Sequence, residues 1–154
     1  MKDPFNLQRF VEAQSTAFER ARAELLAGRK VTHWMWFVFP QLEGLGRSEM
    51  ARRYAISSLA EARAYLEHPI LGPRLVECTR IVNRLDGKSA REVFGAPDDL
   101  KFRSSLTLFA RVASGEPVFD QALAKYFDSV SDPMTLERLG RKPEQAARDG
   151  GSAG

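Results

Sequence analysis

The sequence predicts an all-α fold, a single compact domain of about seven to nine short helices. Apolar residues recur at spacings of three and four along most of the chain, which places them on one face of a helix. Capping residues precede these apolar stripes, and glycine or proline follows them. No segment shows the period-two alternation of paired strands. The length of 154 residues suits one domain.

The first helix is predicted to follow Asp3-Pro4, a capping residue and a proline at the first helical position. Gly28 supplies its C-terminal stop. Two apolar stripes are consistent with one helix that is broken near Gln14-Ser15. The stripes consist of Leu7, Phe10 and Val11, and of Phe18, Ala21, Leu25 and Leu26.

Two later helices are predicted to begin with capping boxes. Ser58 with Glu61, and Ser89 with Glu92, have the spacing at which the two side chains bond each other's backbone N–H groups. Apolar faces then continue to the end of the predicted domain. The remaining helix starts and stops are predicted at His68-Pro69, Asp86-Gly87, Gly95, Asp98 or Asp99 as a cap, Gly115, Asp132-Pro133 and Gly140.

The segment THWMWFVFPQLEGLG, residues 32–46, is the densest in aromatic side chains. Residues 31–39 have strand propensity, but no other segment offers a strand partner, and a lone strand leaves its backbone groups unpaired. The sequence therefore favours a short buried helix with Thr32 as its N-cap. Pro40 ends this helix because proline disfavours helical geometry at Phe39.

Residues 141–154 have no large apolar side chain, so we expect a disordered C-terminal tail after a domain of residues 3–140. Cys78 is the only cysteine, which excludes an intrachain disulfide and suits a reducing compartment. The N-terminus has no signal-peptide pattern, and the longest apolar run, residues 34–39, is far shorter than the ~20 residues that span a bilayer. We therefore expect a cytoplasmic protein without membrane contact.

The charge pattern argues against a nucleic-acid partner. The net charge is only +3, from 23 basic and 20 acidic residues, and nucleic-acid binders concentrate basic charge on one stripe. The densest basic cluster, Arg47, Arg52 and Arg53, contains Glu49. No cysteine or second histidine stands at metal-ligand spacing from His33, so neither a metal site nor a cofactor is predicted.

The aromatic segment supplies the first candidate site residues. His33 is a candidate general base or ligand contact because histidine titrates near neutrality; alternatively, it anchors the start of the helix through a hydrogen bond. Trp34 and Trp36 are interpreted either as an aromatic wall that stacks a ligand ring or as core residues. Gln41 offers a donor and an acceptor, to a ligand or only to the turn.

The following turn is a candidate anion site. Gly44 and Gly46 precede a helix opened by Ser48, and free N–H groups at a helix N-terminus favour phosphate or carboxylate. Arg47 would reinforce that preference. The motif is weak, since no strand precedes it as in a dinucleotide fingerprint and the Gly-Lys-Ser/Thr of a P-loop is absent.

A lysine and two serines form the second polar group. Lys101 and Ser105 are neighbours one helical turn apart, and a lysine beside a serine can form a nucleophile pair, so both join His33 as catalytic candidates. Ser104 is a candidate ligand contact. The alternative is structural: small hydroxyl residues allow close helix packing, and their hydroxyls bond to carbonyls one turn earlier.

Five stretches together carry a family resemblance: DPFNLQRFVEAQ, HWMWFVFPQLEGLG, RYAI, HPILGPRL and DLKFRSSLTLF. They strongly resemble the bacterial family known as domain of unknown function 1810, from Asp3 to about Gly140. The resemblance implies an all-helical fold of short helices and no established activity. The positions that match the family signature are His33, Trp34, Trp36, Phe39, Pro40, Gln41, Gly44, Gly46, Lys101, Ser104, Ser105 and Thr107.

The leading hypothesis is a ligand-binding protein, with catalysis left open, that holds a nucleotide or phosphorylated metabolite in a pocket between residues 33–46 and 101–109. The expected contacts are stacking on Trp34 or Trp36, orientation by His33 and Gln41, and anion binding by Lys101 or Arg47. The alternative is a protein–protein interaction module that exposes the aromatic segment and catalyses nothing. The sequence specifies neither the ligand, the reaction nor the oligomeric state.

Overall fold

The computed structural model describes residues 2–140, and the predicted tail, residues 141–154, lies outside this part of the chain. The described residues form nine α-helices and no strand, which confirms the all-α prediction. None of these helices is long and apolar enough to cross a membrane. The helices are α1 (Gln8–Leu26), α2 (Met35–Val38), α3 (Glu49–Arg53), α4 (Leu59–Glu67), α5 (Leu71–Asn83), α6 (Ala90–Phe94), α7 (Asp98–Ala110), α8 (Val118–Phe127) and α9 (Pro133–Gly140). That residues 3–140 form one domain stays a prediction.

Helix α1 continues through Gln14, so the predicted break near Gln14-Ser15 is wrong. The Gln14 side chain is buried, yet its amide nitrogen donates to the carbonyl oxygen of Phe37 at 2.7 Å and to the hydroxyl of Tyr65 at 3.1 Å. A buried polar group with good partners costs little. The polar interruption in the apolar stripe is therefore a link from α1 to α2 and α4.

The predicted N-terminal caps have different outcomes. Ser89 and Glu92 form the predicted complete capping box at the start of α6. The prediction that Asp3 caps α1 with Pro4 at the first helical position is wrong, because α1 begins at Gln8 and its N-cap is Leu7. The carboxylate of Asp3 still accepts hydrogen bonds from the backbone N–H groups of Leu7 and Gln8, at 2.8 and 2.9 Å.

The capping box predicted at Ser58 is only half formed. The Ser58 hydroxyl accepts from the backbone N–H of Glu61 at 3.1 Å, as expected. The carboxylate of Glu61 does not return the bond, because it accepts from Ser57 and forms an ion pair of 2.9 Å with Arg9 of α1. The tertiary ion pair outcompetes the local motif.

The capping of α7 by Asp98 or Asp99 is also a wrong prediction. Pro97 is the N-cap residue, and no side chain caps this helix end. Both carboxylates lie in the first turn, where the helix dipole favours negative charge. Asp98 faces Lys30, which no local pattern could have indicated.

The aromatic segment forms a short helix, as predicted, but Thr32 is not its N-cap. Trp34 holds that position, and Pro40 follows directly after the C-cap Phe39. The Thr32 hydroxyl instead donates to the carboxylate of Glu24 on α1, at 2.6 Å. The segment is therefore anchored by a side chain from another helix rather than by its own cap.

A single backbone bridge holds the loop that follows α2. Leu42 and Ile56 form an isolated parallel bridge. The backbone N–H of Ile56 donates to the carbonyl of Gln41 at 2.9 Å, and the N–H of Glu43 donates to the carbonyl of Ile56 at 2.8 Å. These bonds fix the loop between α2 and α3 against the chain that leaves α3.

A cluster of three rings fixes α2 against α7. The ring centroid of Phe39 lies 5.9 Å from that of Phe94 and 5.1 Å from that of Phe102. The rings of Phe94 and Phe102 stack with their centroids 4.4 Å apart. All three side chains are buried. Because Phe39 directly follows α2 and Phe102 directly follows Lys101, the cluster holds the aromatic segment beside the first turns of α7.

Candidate functional site

A cavity of about 260 Å³ lies between α2 and the start of α7, and we refer to it as the α2–α7 cavity. Its floor and walls combine apolar and charged side chains from three parts of the chain. It is lined by Lys30, His33, Met35, Trp36, Ala96, Pro97, Asp98 and Lys101. The cluster of Phe39, Phe94 and Phe102 explains why these residues, distant in sequence, line one cavity.

Asp98 stands between two lysines in this cavity. Its Oδ2 lies 2.8 Å from Nζ of Lys30, and its Oδ1 lies 3.5 Å from Nζ of Lys101. The Lys30 side chain is only 6% exposed, whereas that of Lys101 is 26% exposed. Lys30 is therefore a buried, paired cation, and Lys101 is the cation that remains within reach of a ligand.

A second, much smaller void adjoins the α2–α7 cavity. Its volume is about 10 Å³, which is room for about one water molecule. Met35, Trp36 and Lys101 line both spaces, so Trp36 stands at the boundary between them. The other lining residues of this small void are Phe39, Gln41, Leu42, Gly46, Ala51 and Tyr54.

Within residues 2–140, the indole of Trp36 lacks the hydrogen bond that a buried tryptophan N–H usually forms. Its indole Nε1 is buried and has no hydrogen-bond partner among the described residues. A buried donor without an acceptor costs about 1–3 kcal/mol. The Nζ of Lys101 lies 5.7 Å from the centroid of the Trp36 ring, in the range of a cation–π contact. The boundary of the cavity is thus an aromatic wall with an unbonded N–H, beside a cation.

Trp34 is part of the core and does not line either space. Its indole N–H donates to Glu24 at 2.9 Å. The same carboxylate accepts from the backbone N–H groups of Val31 and Thr32 and from the Thr32 hydroxyl. Burial alone would raise the pKa of Glu24, but these hydrogen bonds outweigh it and lower the pKa to about 2.

His33 lies outside α2 and is exposed. The hydrogen bond that would give it a structural role is not formed with any described residue. Its side chain instead lines the α2–α7 cavity together with Lys101. The structure thus brings His33 and Lys101 to one space, as the sequence predicted for its two basic candidates.

Gly44 is required by its backbone conformation, and Gly46 by close packing. Gly44 has a φ of +93°, and a Cβ there would lie 2.3 Å from the guanidinium carbon of Arg138. Arg138 also donates from Nε to the carbonyl of Glu43, at 2.8 Å. A Cβ on Gly46 would lie 2.4 Å from that of Ala51. Of these two glycines, Gly46 alone lines the small void.

The predicted anion site at this turn gains no support from the geometry. Helix α3 has five residues, and the Ser48 hydroxyl already accepts from the backbone N–H of Ala51. Arg47 is exposed and lines neither space. Anion binding by Gly44, Gly46 and Arg47 stays a prediction without a pocket.

Helix α7 carries three hydroxyl groups. Those of Ser104 and Thr107 bond within the fold, whereas that of Ser105 has no partner among the described residues. Ser104 donates to the carbonyl of Leu100 and lies 3.1 Å from Asp132, away from the cavity. Thr107 bonds one turn back and accepts from the backbone of Asp132. The Ser105 hydroxyl is buried without a partner among the described residues, so no base activates it.

The Cys78 thiol is chemically inactive, and no metal cluster is found among the described residues. Burial raises the pKa of the Cys78 thiol to about 12, so it is not a nucleophile at neutral pH. Within residues 2–140, no group of three His, Cys, Asp or Glu side chains could hold a metal ion. Among the described residues, the α2–α7 cavity brings together three predicted site residues, His33, Trp36 and Lys101.

Sequence reasoning missed Lys30, Met35 and the cavity-facing role of Asp98. Lys30 follows the end of α1 and shows no motif of its own. The sequence around Asp98 indicates only a cap. A hint was available in the paired acids Asp98 and Asp99 next to Lys101, but nothing local connects them to Lys30.

Comparison with known proteins gives a family and a solved relative. The family model described as "Protein of unknown function (DUF1810)" matches residues 4–139. The crystal structure of a conserved hypothetical protein from Mycobacterium tuberculosis is similar, with 55% sequence identity and a TM-score of 0.89. The match covers 91% of this chain and 100% of that chain. No curated protein matches.

Proposed function

The chain belongs to the DUF1810 family, whose function is unknown, and from its geometry we propose that it binds a small anionic ligand in the α2–α7 cavity. The ligand carries a planar ring that lies against Trp36 and an anionic group that contacts Lys101. His33 stands at the exposed side of the cavity, where it contacts the ligand's polar edge.

One observation carries this proposal: an accessible ammonium group and an aromatic wall face the same cavity. Lys101 Nζ lies 5.7 Å from the Trp36 ring centroid, and both side chains line the space. Pockets that bind small molecules combine apolar or aromatic walls with a few polar groups that orient the ligand. A partly exposed lysine forms a strong charge-assisted bond to carboxylate or phosphate.

The size of the cavity limits the ligand. Pockets for drug-sized ligands occupy roughly 300–1,000 Å³, and this one has about 260 Å³. One ring with one anionic group fits that space better than a dinucleotide. A mononucleotide or phosphorylated metabolite, which the sequence favoured, would extend through the open side beside His33.

The interaction-module alternative lacks the surface that it needs. Trp34, Met35, Phe37, Val38 and Phe39 are all buried. Only Trp36 of this segment's rings is partly exposed, so no contiguous aromatic face is presented. We also propose no catalytic step, because the cavity shows no nucleophile with an activating base.

Thermal shift and tryptophan fluorescence with a panel of anions test the proposal. The panel contains inorganic phosphate, AMP, phenyl phosphate and phenylacetate. A member of the panel should raise the melting temperature and quench Trp36. Lys101→Ala should weaken binding about tenfold or more, the loss of one charge-assisted hydrogen bond, and His33→Ala should weaken it less.

Lys2→Ala is the matched control, because it removes the same charge from an exposed lysine that lines neither space. Binding to this variant should equal that of the wild type. No response to any anion, or an equal loss in Lys2→Ala and Lys101→Ala, would contradict the proposal.

A further inference from the structure

We propose that the α2–α7 cavity selects ligands with a single negative charge, and that Asp98 is the residue that sets this limit. The inference rests on the proposed function and narrows its ligand class to small aromatic monocarboxylates. It follows from the charges that line the cavity and from the two distances that Asp98 makes.

The side chains that line the cavity carry a small net positive charge. Lys30 and Lys101 contribute two positive charges and Asp98 one negative charge, which leaves one net positive charge when histidine is counted as neutral. The other lining residues, Met35, Trp36, Ala96 and Pro97, carry no charge. The side chains at this cavity therefore compensate one unit of ligand charge.

The two lysines are not equivalent partners for that charge. Lys30 is 6% exposed, bonds to Asp98 at 2.8 Å, and lies with Nζ 5.1 Å from the Trp34 ring centroid. Its charge is already compensated in a closed environment. The contact between Lys101 and Asp98 is longer, at 3.5 Å, and Lys101 is 26% exposed. An entering anion can therefore compete with Asp98 for Lys101 but not for Lys30.

A second negative charge on the ligand would be disfavoured for two reasons. Attraction to the cavity rises in proportion to ligand charge, whereas the cost of removing an ion from water rises with its square. In addition, an anion in contact with Lys101 lies roughly 5–6 Å from Asp98 Oδ1, a distance at which like charges repel in a partly desolvated site. A phosphate monoester is doubly charged above its second pKa of about 6, so it meets both penalties.

A carboxylate on a ring meets both costs for one charge only, so each is smaller than for a doubly charged phosphate. Its single charge matches the cavity, and its ring lies against Trp36 and Met35. The volume of about 260 Å³ accommodates a molecule of that size. The ligand class is therefore an aromatic ring with one carboxylate, rather than a phosphate monoester.

The test compares phenylacetate with phenyl phosphate at pH 8, using titration calorimetry on the full chain. The two probes share a ring and differ in charge. The wild type should bind phenylacetate more tightly. Asp98→Asn frees Lys101 and adds one positive charge, so the ratio of the two dissociation constants should shift about tenfold toward phenyl phosphate.

Asp99→Asn is the matched control. It removes the same charge from the same turn of α7, but Asp99 does not line the cavity. Its ratio should stay within about twofold of the wild type, because Asp99 forms no ion pair with Lys30 or Lys101 and does not border the ligand's space.

The outcomes separate the inference from the function on which it rests. Tighter binding of phenyl phosphate by the wild type overturns the inference and leaves anion binding intact. An equal shift in Asp99→Asn and Asp98→Asn also overturns the role of Asp98. Binding of no anion at all overturns both. If Asp98→Asn does not fold, Asp98→Ser takes its place with the same expected shift, and an unchanged ratio in Asp98→Ser overturns the role of Asp98.

Discussion

Trp34 and Trp36 stand two positions apart and have opposite surroundings. The Trp34 ring is buried, and its N–H donates to Glu24. The Trp36 ring is partly exposed, lines two spaces, and its buried N–H has no partner among the described residues. The Trp34 indole donates into the hydrogen-bond network that fixes the segment. The Trp36 indole has an N–H without an acceptor among the described residues, beside a cavity.

The comparison shows how one short segment can serve stability and binding together. Glu24 holds Val31, Thr32 and Trp34 in place from α1. That anchor allows the next turn to carry an unsatisfied group, because the cost at Trp36 is offset by bonds formed nearby. Substitutions at the two tryptophans should therefore separate folding from ligand binding.

The largest expected effect is the loss of the Trp34 ring. Trp34→Ala should lower the free energy of unfolding by about 3–5 kcal/mol, as for a large residue removed from a core. Trp36→Ala should cost about 1–2 kcal/mol, since part of its ring remains in water. Urea unfolding of the two variants measures the difference. Equal losses would show that the two rings are packed alike.

The next largest effect is expected when acid protonates Glu24, the carboxylate that accepts from the Trp34 indole, because the fold then loses stability. The pKa of Glu24 is about 2 in the folded chain and near 4.5 without its partners. A lowered folded pKa stabilises the fold above pH 4.5, and this contribution is lost as the pH falls from 4.5 toward 2. After allowance for solvent screening, it amounts to about 2 kcal/mol.

Glu24→Gln isolates that contribution. Glutamine keeps a carbonyl oxygen for the same donors but does not titrate. Unfolding free energies measured from pH 6 to pH 2 should fall less steeply for this variant than for the wild type. Parallel pH profiles would mean that Glu24 is not stabilised as its hydrogen bonds imply.

The smallest effect is expected where an indole becomes a benzene ring. Trp36→Phe removes a buried donor that has no acceptor, so stability should change by less than about 0.5 kcal/mol or increase. Trp34→Phe takes a donor away from Glu24 and should cost about 2 kcal/mol. Thermal unfolding of the pair provides the measurement. A larger loss in Trp36→Phe would reveal a hidden partner for its N–H.

Local signals in the sequence predicted most of the helices. Ser89 with Glu92 acts within one turn, and Pro40 ends α2 through its own sterics. Such effects depend only on neighbouring residues. They explain why the fold class and the helical state of the aromatic segment could be derived.

The errors and omissions share a different cause. Glu24 replaces Thr32 as the anchor of the aromatic segment, and Arg9 draws the carboxylate of Glu61 away from Ser58. Lys30 and Asp98 meet only after the chain has folded. These contacts join different helices, so residue type and spacing carry no record of them.

The hydrogen bond from Arg138 to Glu43 has a consequence for the order in which the molecule is completed. It joins residues 95 positions apart. Synthesis on the ribosome delivers the N-terminal part first. The loop that borders the small void is therefore made long before Arg138 of α9, which bonds to it. One wall of that void therefore gains its last support only when nearly all of the described chain has been made.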